Sequence, residues 1–582
     1  MTTPTDFEEE LLPGTRRLYD ENGKPLRGDE NLEKHGDIVL IPQPTNSPND
    51  PLNWSWLHKA WHSSLVLFIV ALTAATSNDA GSASDGVNTE YGISYDVFNT
   101  GAGVLFIAIG YWTLLGSPAV YLYGRRNVYL VCMIWGVIGS IWFGRVRNAS
   151  DTVWSQLFVG ASESCAEAVV QLSLLDIWFE HQNGTVLGLY TLATAVGTYL
   201  GPLVASYIAD SSLGWRWIGY LGAIISGAIF IVVFFGLEET TFNRDRYILH
   251  RGDQYLSDGV KLPEKTIEHN TPSGSALNEN TIINNEIPPS TPSDLEQGRN
   301  TPSFPQATNP DQNSHRLSQS YSTKKTYLQR IRIITPAPNL RGWGLKQYIH
   351  RLWHTMRVFT FPAVWYAGLQ WGMQNVCLTF YLTVEEDNWY DAPWNYSDAA
   401  VGNMNIPCLI GAVIGCFYGG YCSDRFMMAM TKRNGGVQEA EYRLWLMFLC
   451  AAVFPTGMWL FGIGSARGWS WPAPYVGLGF IGFGYGCAGD LSITYLADSY
   501  PDMVLEGMVG VAVVNNTLAM VFTFVASFWI DSSLQHSFVE VGVISFVVLM
   551  LTVPMLVWGK RARRWTRDRY LKFLEIRDGF GK

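Results

Sequence analysis

Two glutamates lie in the middle of an apolar stretch of this chain. Glu163 and Glu167 fall within residues 153–175, a segment long enough to cross a bilayer as a helix. A carboxylate near the bilayer centre costs about 2.5 kcal/mol or more, so such residues usually face a partner, a cavity or a transported ion. At positions i and i+4 the two side chains share one helix face, which Gln171 extends by one turn. We interpret this stripe as the wall of a polar pathway for a cation.

The composition indicates what kind of scaffold positions these acids. The 582 residues are 48% hydrophobic and only 15% charged, which is typical of a membrane protein. Apolar runs of about 20 residues, the length that crosses roughly 30 Å of hydrocarbon, predict twelve spans. The spans lie near 60–80, 98–122, 127–144, 153–175, 185–208, 216–237, 359–384, 399–422, 444–464, 473–497, 506–530 and 538–559. The six-plus-six division predicts an all-α membrane protein with two pseudo-symmetric bundles of six helices.

The polar stretches between the spans divide the chain further. We predict an N-terminal tail at 1–55, a first bundle at 56–237, a linker at 238–355, a second bundle at 356–559 and a basic tail at 560–582. Residues 1–55 and about 250–325 have the composition of disordered segments, because they cannot bury enough apolar surface to fold. No cleavable signal sequence precedes the first span, so we expect that span to target the chain.

Basic residues in the short loops predict the orientation. They follow spans 2, 8 and 12, which all end on one side, and short loops rich in Lys and Arg are typically cytoplasmic. They are Arg125, Arg126, Arg425, Lys432, Arg433, Arg443, Lys560, Arg561, Arg563, Arg564, Arg567 and Arg569. We therefore expect a multi-pass protein of the plasma membrane with both termini in the cytoplasm.

Several function classes lack a sequence signal. The eight cysteines lie in or at the ends of apolar spans, without zinc-ligand or disulfide spacing. The loops contain no glycine-rich phosphate loop, metal-ligand cluster or nucleophile elbow. We expect no enzymatic activity, no cofactor, no metal and no nucleic-acid partner. The expected partners are small organic cations, protons and the lipid bilayer, and we expect a monomer.

Glycines and a proline in the fifth span carry a family resemblance. Gly188, Gly197, Gly201 and Pro202 reproduce the spacing G-x8-G-x3-G-P, which resembles the antiporter motif of the major facilitator superfamily. The resemblance implies the fold of that superfamily. Physically, glycines on one face allow helices to approach closely, and the proline bends a helix that must rock between two states.

A loop motif extends the resemblance and shows one departure from it. After span 8, Gly420, Asp424 and Arg425 resemble the cytoplasmic loop motif of the same superfamily. In the first half Tyr121 and Leu122 stand where that motif has Asp and Arg. We therefore expect the charge latch between the halves to be weak on that side.

Further features favour a cationic substrate. The drug:proton antiporter branch of the superfamily generally carries an Arg in span 4, where this chain has Gln156. Longer runs, at 40–44, 47–54, 74–81, 162–168, 394–398 and 500–508, resemble fungal members that carry polyamines and histidinol. The resemblance implies proton-coupled uptake of organic cations such as putrescine, spermidine and spermine. Efflux of cationic drugs, and a non-transporting nutrient receptor, remain as alternatives.

In the fold of this superfamily spans 1, 4, 7 and 10 line a central cavity, which suggests a set of binding residues. Carboxylates can pair with ammonium groups, and aromatic faces can contact the chain between them. The candidates are Asp79, Glu163, Glu167, Gln171, Trp371, Gln374, Tyr485 and Asp490, with Tyr111 from span 2. Because desolvation favours the protonated form of a carboxyl group, one of Glu163, Glu167 and Asp490 is expected to carry the proton. The sequence leaves open which one does so, and whether transport is symport or exchange.

Overall fold

The computed structural model describes residues 12–17, 34–35, 38–242, 244, 324–337, 340–390 and 392–579. One compact unit contains the described residues of Met1–Pro44, Asp50–Phe242 and Lys325–Lys582, and it holds every helix named below. The second unit, Thr45–Asn49 and Asn243–Lys324, falls almost wholly outside the described residues. The predicted disorder of the linker at 250–325 falls there too, and the predicted domain boundaries stay predictions.

The first half of the helical unit follows the predicted spans. Its helices are α1 (Trp56–Asn78), α2 (Ser84–Tyr91), α3 (Tyr95–Leu122), α4 (Arg125–Phe143), α5 (Ala149–Cys165), α6 (Gln171–Ile177), α7 (Asn183–Ala209) and α8 (Arg216–Gly236). Short 3-10 turns lie at Pro51–Asn53, Gly81–Ala83 and Glu180–Gln182. We call the ends of these helices at Trp56, Leu122 and Ile177 the terminal side of the bundle.

Two short helices lead into the second half. They are α9 (Tyr327–Arg330) and α10 (Leu345–Thr355). The second half contains α11 (Pro362–Asn388), α12 (Asp398–Gly402), α13 (Asn405–Phe417), α14 (Ser423–Arg433), α15 (Met447–Ala466), α16 (Ala473–Ser499), α17 (Val504–Ser532), α18 (Leu534–Met550) and α19 (Thr552–Gly579). Further 3-10 turns lie at Met356–Thr360, Ala440–Leu446 and Pro501–Met503. Buried apolar side chains of both halves, such as Val70, Leu187 and Leu491, belong to one core.

Polarity separates two of the twelve predicted spans from the others. Within the described ranges, ten helices are long and apolar enough to cross a membrane. The fourth predicted span is the continuous helical stretch made of α5, a π-helical segment and α6, and the seventh is α11. Both carry polar side chains that face the cavity described below, which lowers their mean hydropathy. Helix packing then compensates for polar groups that lipid alone would not tolerate.

Two π-helical segments interrupt described helices. Ala166–Val170 separates α5 from α6, and Tyr418–Cys422 separates α13 from α14. A π turn closes its hydrogen bonds over five residues, so the side chains after it shift to another face. Such segments are frequent at functional sites. Each of these two lies beside a buried carboxylate considered below.

Part of the N-terminal tail is ordered, which corrects the prediction for 1–55. The described strands are β1 (Thr15–Arg17), β2 (Lys34–His35), β3 (Ile38–Val39) and β4 (Val437–Glu439). They form two antiparallel pairs, β1 with β4 and β2 with β3. The Thr15 hydroxyl donates to Glu439 Oε2 at 2.7 Å, and Arg563 pairs with Glu439 and Glu441 at 2.7 and 2.5 Å. Composition could not predict the order of β1, because partners more than 400 residues away provide it.

Candidate functional site

A cavity lies between the two halves of the helical unit. It encloses about 1000 Å³ of empty space, including the part that opens to solvent. Its lining residues are Ser77, Asn78, Ala80, Gly81, Phe98, Asn99, Ala102, Leu105, Phe106, Ile109, Thr152, Gln156, Glu163, Glu167, Thr194, Thr198, Trp371, Asn375, Leu378, Thr379, Leu382, Thr383, Tyr485 and Asn516. Many of them lie at the ends of α1, α3 and α5 that are remote from the terminal side. The cavity therefore extends from the middle of the helices toward the opposite side.

The two glutamates that opened the sequence argument both line this cavity. Glu163 is in the last turn of α5, and Glu167 is in the π-helical segment that follows. Both side chains are buried. The π-helical segment explains why the predicted stripe stops there: Gln171, one turn later, is buried away from the cavity, beside Tyr190. The extra residue in the π turn has rotated Gln171 off the face that the two acids share.

An aromatic pair from the second half approaches these acids. The rings of Trp371 and Tyr485 lie 4.9 Å apart between centroids, at an interplanar angle of 53°. Tyr199 of α7 meets Tyr485 edge to face at 5.8 Å. Tyr485 is close enough to interact electrostatically with Glu163 and Glu167. Carboxylates of one half and aromatic faces of the other thus border the same space.

Hydroxyl and amide groups complete the wall, and most of these were missed in the sequence. Thr194 and Thr198 of α7 and Asn516 of α17 line the cavity. The Asn375 amide donates to Asn515 Oδ1 at 2.8 Å, which fixes the side chain of Asn375 beside the cavity. Thr194 and Thr198 are four residues apart and therefore share one face of α7, which is a pattern in the sequence that could have identified them as lining residues. Asn515 thus links α17 to α11, whereas Asn516 faces the cavity.

The charge of this wall limits its chemistry. The lining residues include two acids, and no Lys, Arg or His is among those that the structure describes. Nowhere in the described ranges do three or more His, Cys, Asp or Glu residues form a group that could hold a metal ion. Ion pairing, hydrogen bonding and cation–π contact are therefore the interactions that the cavity offers to a ligand.

Besides Gln171, and Asp490 described below, three predicted binding residues are not brought to the cavity. Gln374 is buried but does not line the cavity. At about 100° per residue it lies roughly 60° around α11 from Trp371, on the side away from Asn375, and so at the edge of the face that lines the cavity. Asp79 caps the end of α1 and is half-buried outside the lining. Tyr111 is exposed, with its hydroxyl 3.3 Å from Thr517 Oγ1, because it lies roughly opposite the α3 face that lines the cavity.

The acid of α16 lies in a different place from the two cavity acids. Asp490 is fully buried, and it is five residues beyond Tyr485, on another face of the helix. Its Oδ1 accepts a hydrogen bond from Thr494 Oγ1 at 3.0 Å, while its Oδ2 has no hydrogen-bonding partner among the described residues. A Cβ added at Gly188 would lie 2.9 Å from Oδ2, and one added at Gly420 would lie 3.1 Å from it.

Asp490 therefore occupies a junction between the halves, where the motif glycines meet. A Cβ at Gly188 of α7 would also lie 3.1 Å from the Cα of Gly420, so the two backbones touch across the halves. Gly201 approaches α1 instead, with its would-be Cβ 2.7 Å from Ala75, and Gly197 packs there too. Pro202, inside α7, accepts a hydrogen bond from Ser206 at 2.9 Å. We call Asp490, Gly188 and Gly420 the glycine junction.

The second loop motif joins the halves on the terminal side. The Asp424 carboxylate accepts hydrogen bonds from the Gly184 and Thr185 amides at 3.1 and 2.7 Å, which caps the start of α7. Arg443 pairs with Asp424 at 2.8 Å and with Asp498 at 2.5 Å. Arg425 is exposed and lies over the ring of Tyr421, so it takes no part in this contact.

A different contact replaces the missing charges of the first loop motif. Tyr121, which stands where the motif has Asp, donates a hydrogen bond from its hydroxyl to Glu506 Oε2 of the second half at 3.3 Å. Arg351 of α10 lies over the Tyr121 ring, 5.1 Å from its centre. On this side the two halves are thus joined by one long hydrogen bond, between Tyr121 and Glu506, with the Arg351 guanidinium beside it. This agrees with the expectation that the charge latch is weak here.

Comparisons with known proteins agree with this architecture. Residues 64–523 match the model of the family described as Major Facilitator Superfamily. The chain is 48% identical over 588 residues to an uncharacterized MFS-type transporter of Schizosaccharomyces pombe, covering 99% of this chain and 96% of the relative. It is 46% identical over 597 residues to the protein HOL1 of Saccharomyces cerevisiae, covering 98% of each.

A solved structure shares the arrangement of helices. The proton:xylose symporter XylE, bound to 6-bromo-6-deoxy-D-glucose, matches with a TM-score of 0.55 at 12% identity, over 86% of this chain and 97% of the symporter chain. At this identity the match shows the fold alone. The predicted fold class, an all-α membrane protein of the major facilitator type, is confirmed.

Proposed function

This chain belongs to the major facilitator superfamily, whose members are membrane transporters rather than enzymes, and from that premise we propose that it carries polyamines and related organic cations. The observation that supports this most is the meeting of Glu163 and Glu167 with Trp371 and Tyr485 in one cavity. A linear polyamine presents ammonium groups separated by methylenes. Its charges would pair with the carboxylates, and its methylenes would lie on the aromatic faces.

The proposed direction is uptake across the plasma membrane. The basic loops favour a cytoplasmic terminal side, which places both termini inside the cell. The cavity then extends toward the exterior, while the contacts of Asp424 and Tyr121 close the cytoplasmic side. Alternating access would require those contacts to break as the halves rock. We further propose that the protein works as a monomer, because the cavity lies within one chain.

We propose that protons drive this transport and that the acids divide the work. Glu163 and Glu167 border open space and are placed to bind the substrate. Asp490 is packed against glycine backbones outside the cavity lining, and a proton can bind there without the open space that an organic cation needs. Its protonation would remove a buried charge from the surface along which the halves separate. The proton site is then Asp490, and the substrate site is the cavity.

Accumulation of labelled spermidine in a host that lacks its own uptake systems tests the proposal. We expect net entry with the wild type, and strongly reduced entry with Glu163→Gln and Glu167→Gln. Asp96→Asn is the matched control, because Asp96 is an exposed acid of α3 on the side to which the cavity opens. Absence of entry by a wild-type protein that reaches the cell surface would overturn the uptake proposal.

Efflux of cationic compounds is the second candidate. The spacing of Gly188, Gly197, Gly201 and Pro202, which resembles the antiporter motif, favours it. The same cavity chemistry would serve either direction of flux. Preloaded cells separate the two: faster loss of labelled cation from cells that express the protein, without net entry, would support efflux.

A further inference from the structure

The short helix after the linker, α10, has one face that packs on the protein. Arg351 lies against Tyr121, and the His354 ring lies 4.1 Å from that of Phe573 of α19. His354 and Thr355 are buried. The Tyr348 hydroxyl donates to the carbonyl of Leu115, two turns before the end of α3. The helix is therefore held beside the last turns of a membrane-crossing helix rather than below it.

A second face of α10 is apolar and exposed. Leu345 and Trp353 are 69% and 70% exposed, and Ile349 and Met356 are also exposed. Trp343, just before the helix, is 94% exposed. Leu345, Ile349 and Trp353 follow the spacing i, i+4 and i+8, which gathers them within an arc of about 80°. Met356 begins the 3-10 turn that follows the helix. Such a row of large apolar side chains, at the level where a spanning helix ends, is typical of a helix that lies in a membrane interface.

Basic side chains border this apolar arc. Lys346 is exposed and falls at about 100° on the helix, immediately beside the arc that ends with Trp353. Arg357 is exposed in the 3-10 turn that directly follows the helix. Arg341 is exposed just upstream. Lysine and arginine at this level extend their charges to the lipid head groups while their stems lie on the acyl region. Each such charge near an anionic leaflet favours binding by about 1 kcal/mol, or roughly fivefold.

We propose that the exposed face of α10 is a lipid-binding surface, with Leu345, Ile349 and Trp353 inserted in the leaflet on the terminal side and Lys346 and Arg357 on anionic head groups. The orientation in the proposed function makes this the inner leaflet of the plasma membrane. Since the opposite face of α10 holds Arg351 against Tyr121, the lipid surface and the contact between the halves share one rigid element. The position of α10 beside the last turns of α3, with large apolar side chains and a basic border on its exposed face, favours lipid as the occupant.

Spin labels on the full-length protein in lipid nanodiscs test the insertion. Labels would be attached after Leu345→Cys, Ile349→Cys and Trp353→Cys, with Lys346→Cys for the basic border. The background would carry Cys422→Ser, because Cys422 is the half-buried one and the other seven cysteines are buried. We expect the three apolar positions to collide more often with oxygen, which dissolves in lipid, than with a water-soluble nickel chelate. The label at Lys346→Cys should show the reverse.

Two outcomes would overturn the insertion. Greater access of nickel chelate at all three apolar positions would place the face in water. Shielding from both reagents would place a protein segment over it. These depth readings hold whichever substrate is carried, so their failure is distinguishable from failure of spermidine uptake.

The charge requirement has its own measurement. Nanodiscs of phosphatidylcholine with phosphatidylserine would be compared by native mass spectrometry for serine lipid retained on the protein. We expect Lys346→Gln with Arg357→Gln to reduce retention by roughly fivefold per charge. The control pair Arg433→Gln with Arg561→Gln removes two exposed charges on the same side, away from α10, and should leave most of the retention. Equal loss in both pairs would contradict a site on α10.

Discussion

The cavity acids and the glycine junction place the same functional group in two opposite settings. Glu163 and Glu167 border an open space lined with hydroxyl, amide and aromatic groups. Among the described residues Asp490 accepts one hydrogen bond, from Thr494, and its carboxylate packs against the backbones of Gly188 and Gly420. A π-helical segment lies beside each site, at Ala166–Val170 and Tyr418–Cys422. Local backbone geometry is thus alike, while the space around the carboxylate differs.

The difference separates ligands by size. A solvated or organic cation can reach the cavity acids, because empty space adjoins them. At the junction the carboxylate oxygen lies within 3.1 Å of any Cβ added at Gly188 or Gly420, and Asp490 is not among the residues that line the open space of the cavity. A proton needs no such room. The comparison therefore predicts that substrate affinity and pH dependence respond to different acids.

The largest effect is expected from removing both cavity charges. The double variant Glu163→Gln with Glu167→Gln keeps volume and hydrogen-bonding capacity while it deletes two negative charges. Each lost charge-assisted bond costs about 1.5–3 kcal/mol, so affinity for spermidine should fall by roughly a hundredfold or more. Concentration-dependent uptake, normalised to surface expression, measures this. Near wild-type affinity in a normally expressed double variant would make these acids structural.

The single variants sharpen the assignment through the length of the substrate. Glu163→Gln or Glu167→Gln should lower affinity by about ten- to a hundredfold. The deficit should increase from a diamine to a triamine to a tetramine, because a longer amine engages both carboxylates at once. Competition of the three amines against labelled spermidine gives the series, and Asp96→Asn serves as the control. A deficit that is the same for all three amines would argue against direct ion pairing.

Sequence reasoning found the cavity acids but could not place every residue around them. Charge inside an apolar span is a strong signal, because the bilayer makes it costly, and it identified Glu163, Glu167 and Asp490 together. It could not separate Asp490 from the others, since that depends on which helix face meets the second half. Gln171 was misplaced because the hydrogen-bonding pattern of a π turn has no reliable sequence signature. The Tyr121 contact with Glu506 depends on partners 385 residues apart.

The junction should be sensitive to volume where the cavity is sensitive to charge. Gly188→Ala would place a Cβ 2.9 Å from Asp490 Oδ2 and 3.1 Å from the Gly420 Cα, so the closed contact must open slightly. Overpacking of this kind costs about 1–3 kcal/mol, and we expect roughly tenfold slower uptake with little change in affinity. Gly116→Ala is the matched control, because no atom of another described residue lies within 4 Å of a Cβ there. Equal rates in the two variants would show that the junction tolerates separation.

The smallest expected change in affinity, and the clearest change in coupling, belongs to Asp490→Asn. Wild-type uptake should be faster at acidic than at neutral external pH and should fall when a protonophore is added. Asn cannot release a proton, so the variant should lose this dependence on external pH. Its half-saturating spermidine concentration should stay within about twofold of the wild-type value, because no contact with the ligand is removed. Initial rates across external pH, with and without protonophore at constant membrane potential, measure both quantities. If Glu167→Gln abolishes the pH dependence and Asp490→Asn retains it, the proton is carried in the cavity, and the two sites are not separated by function.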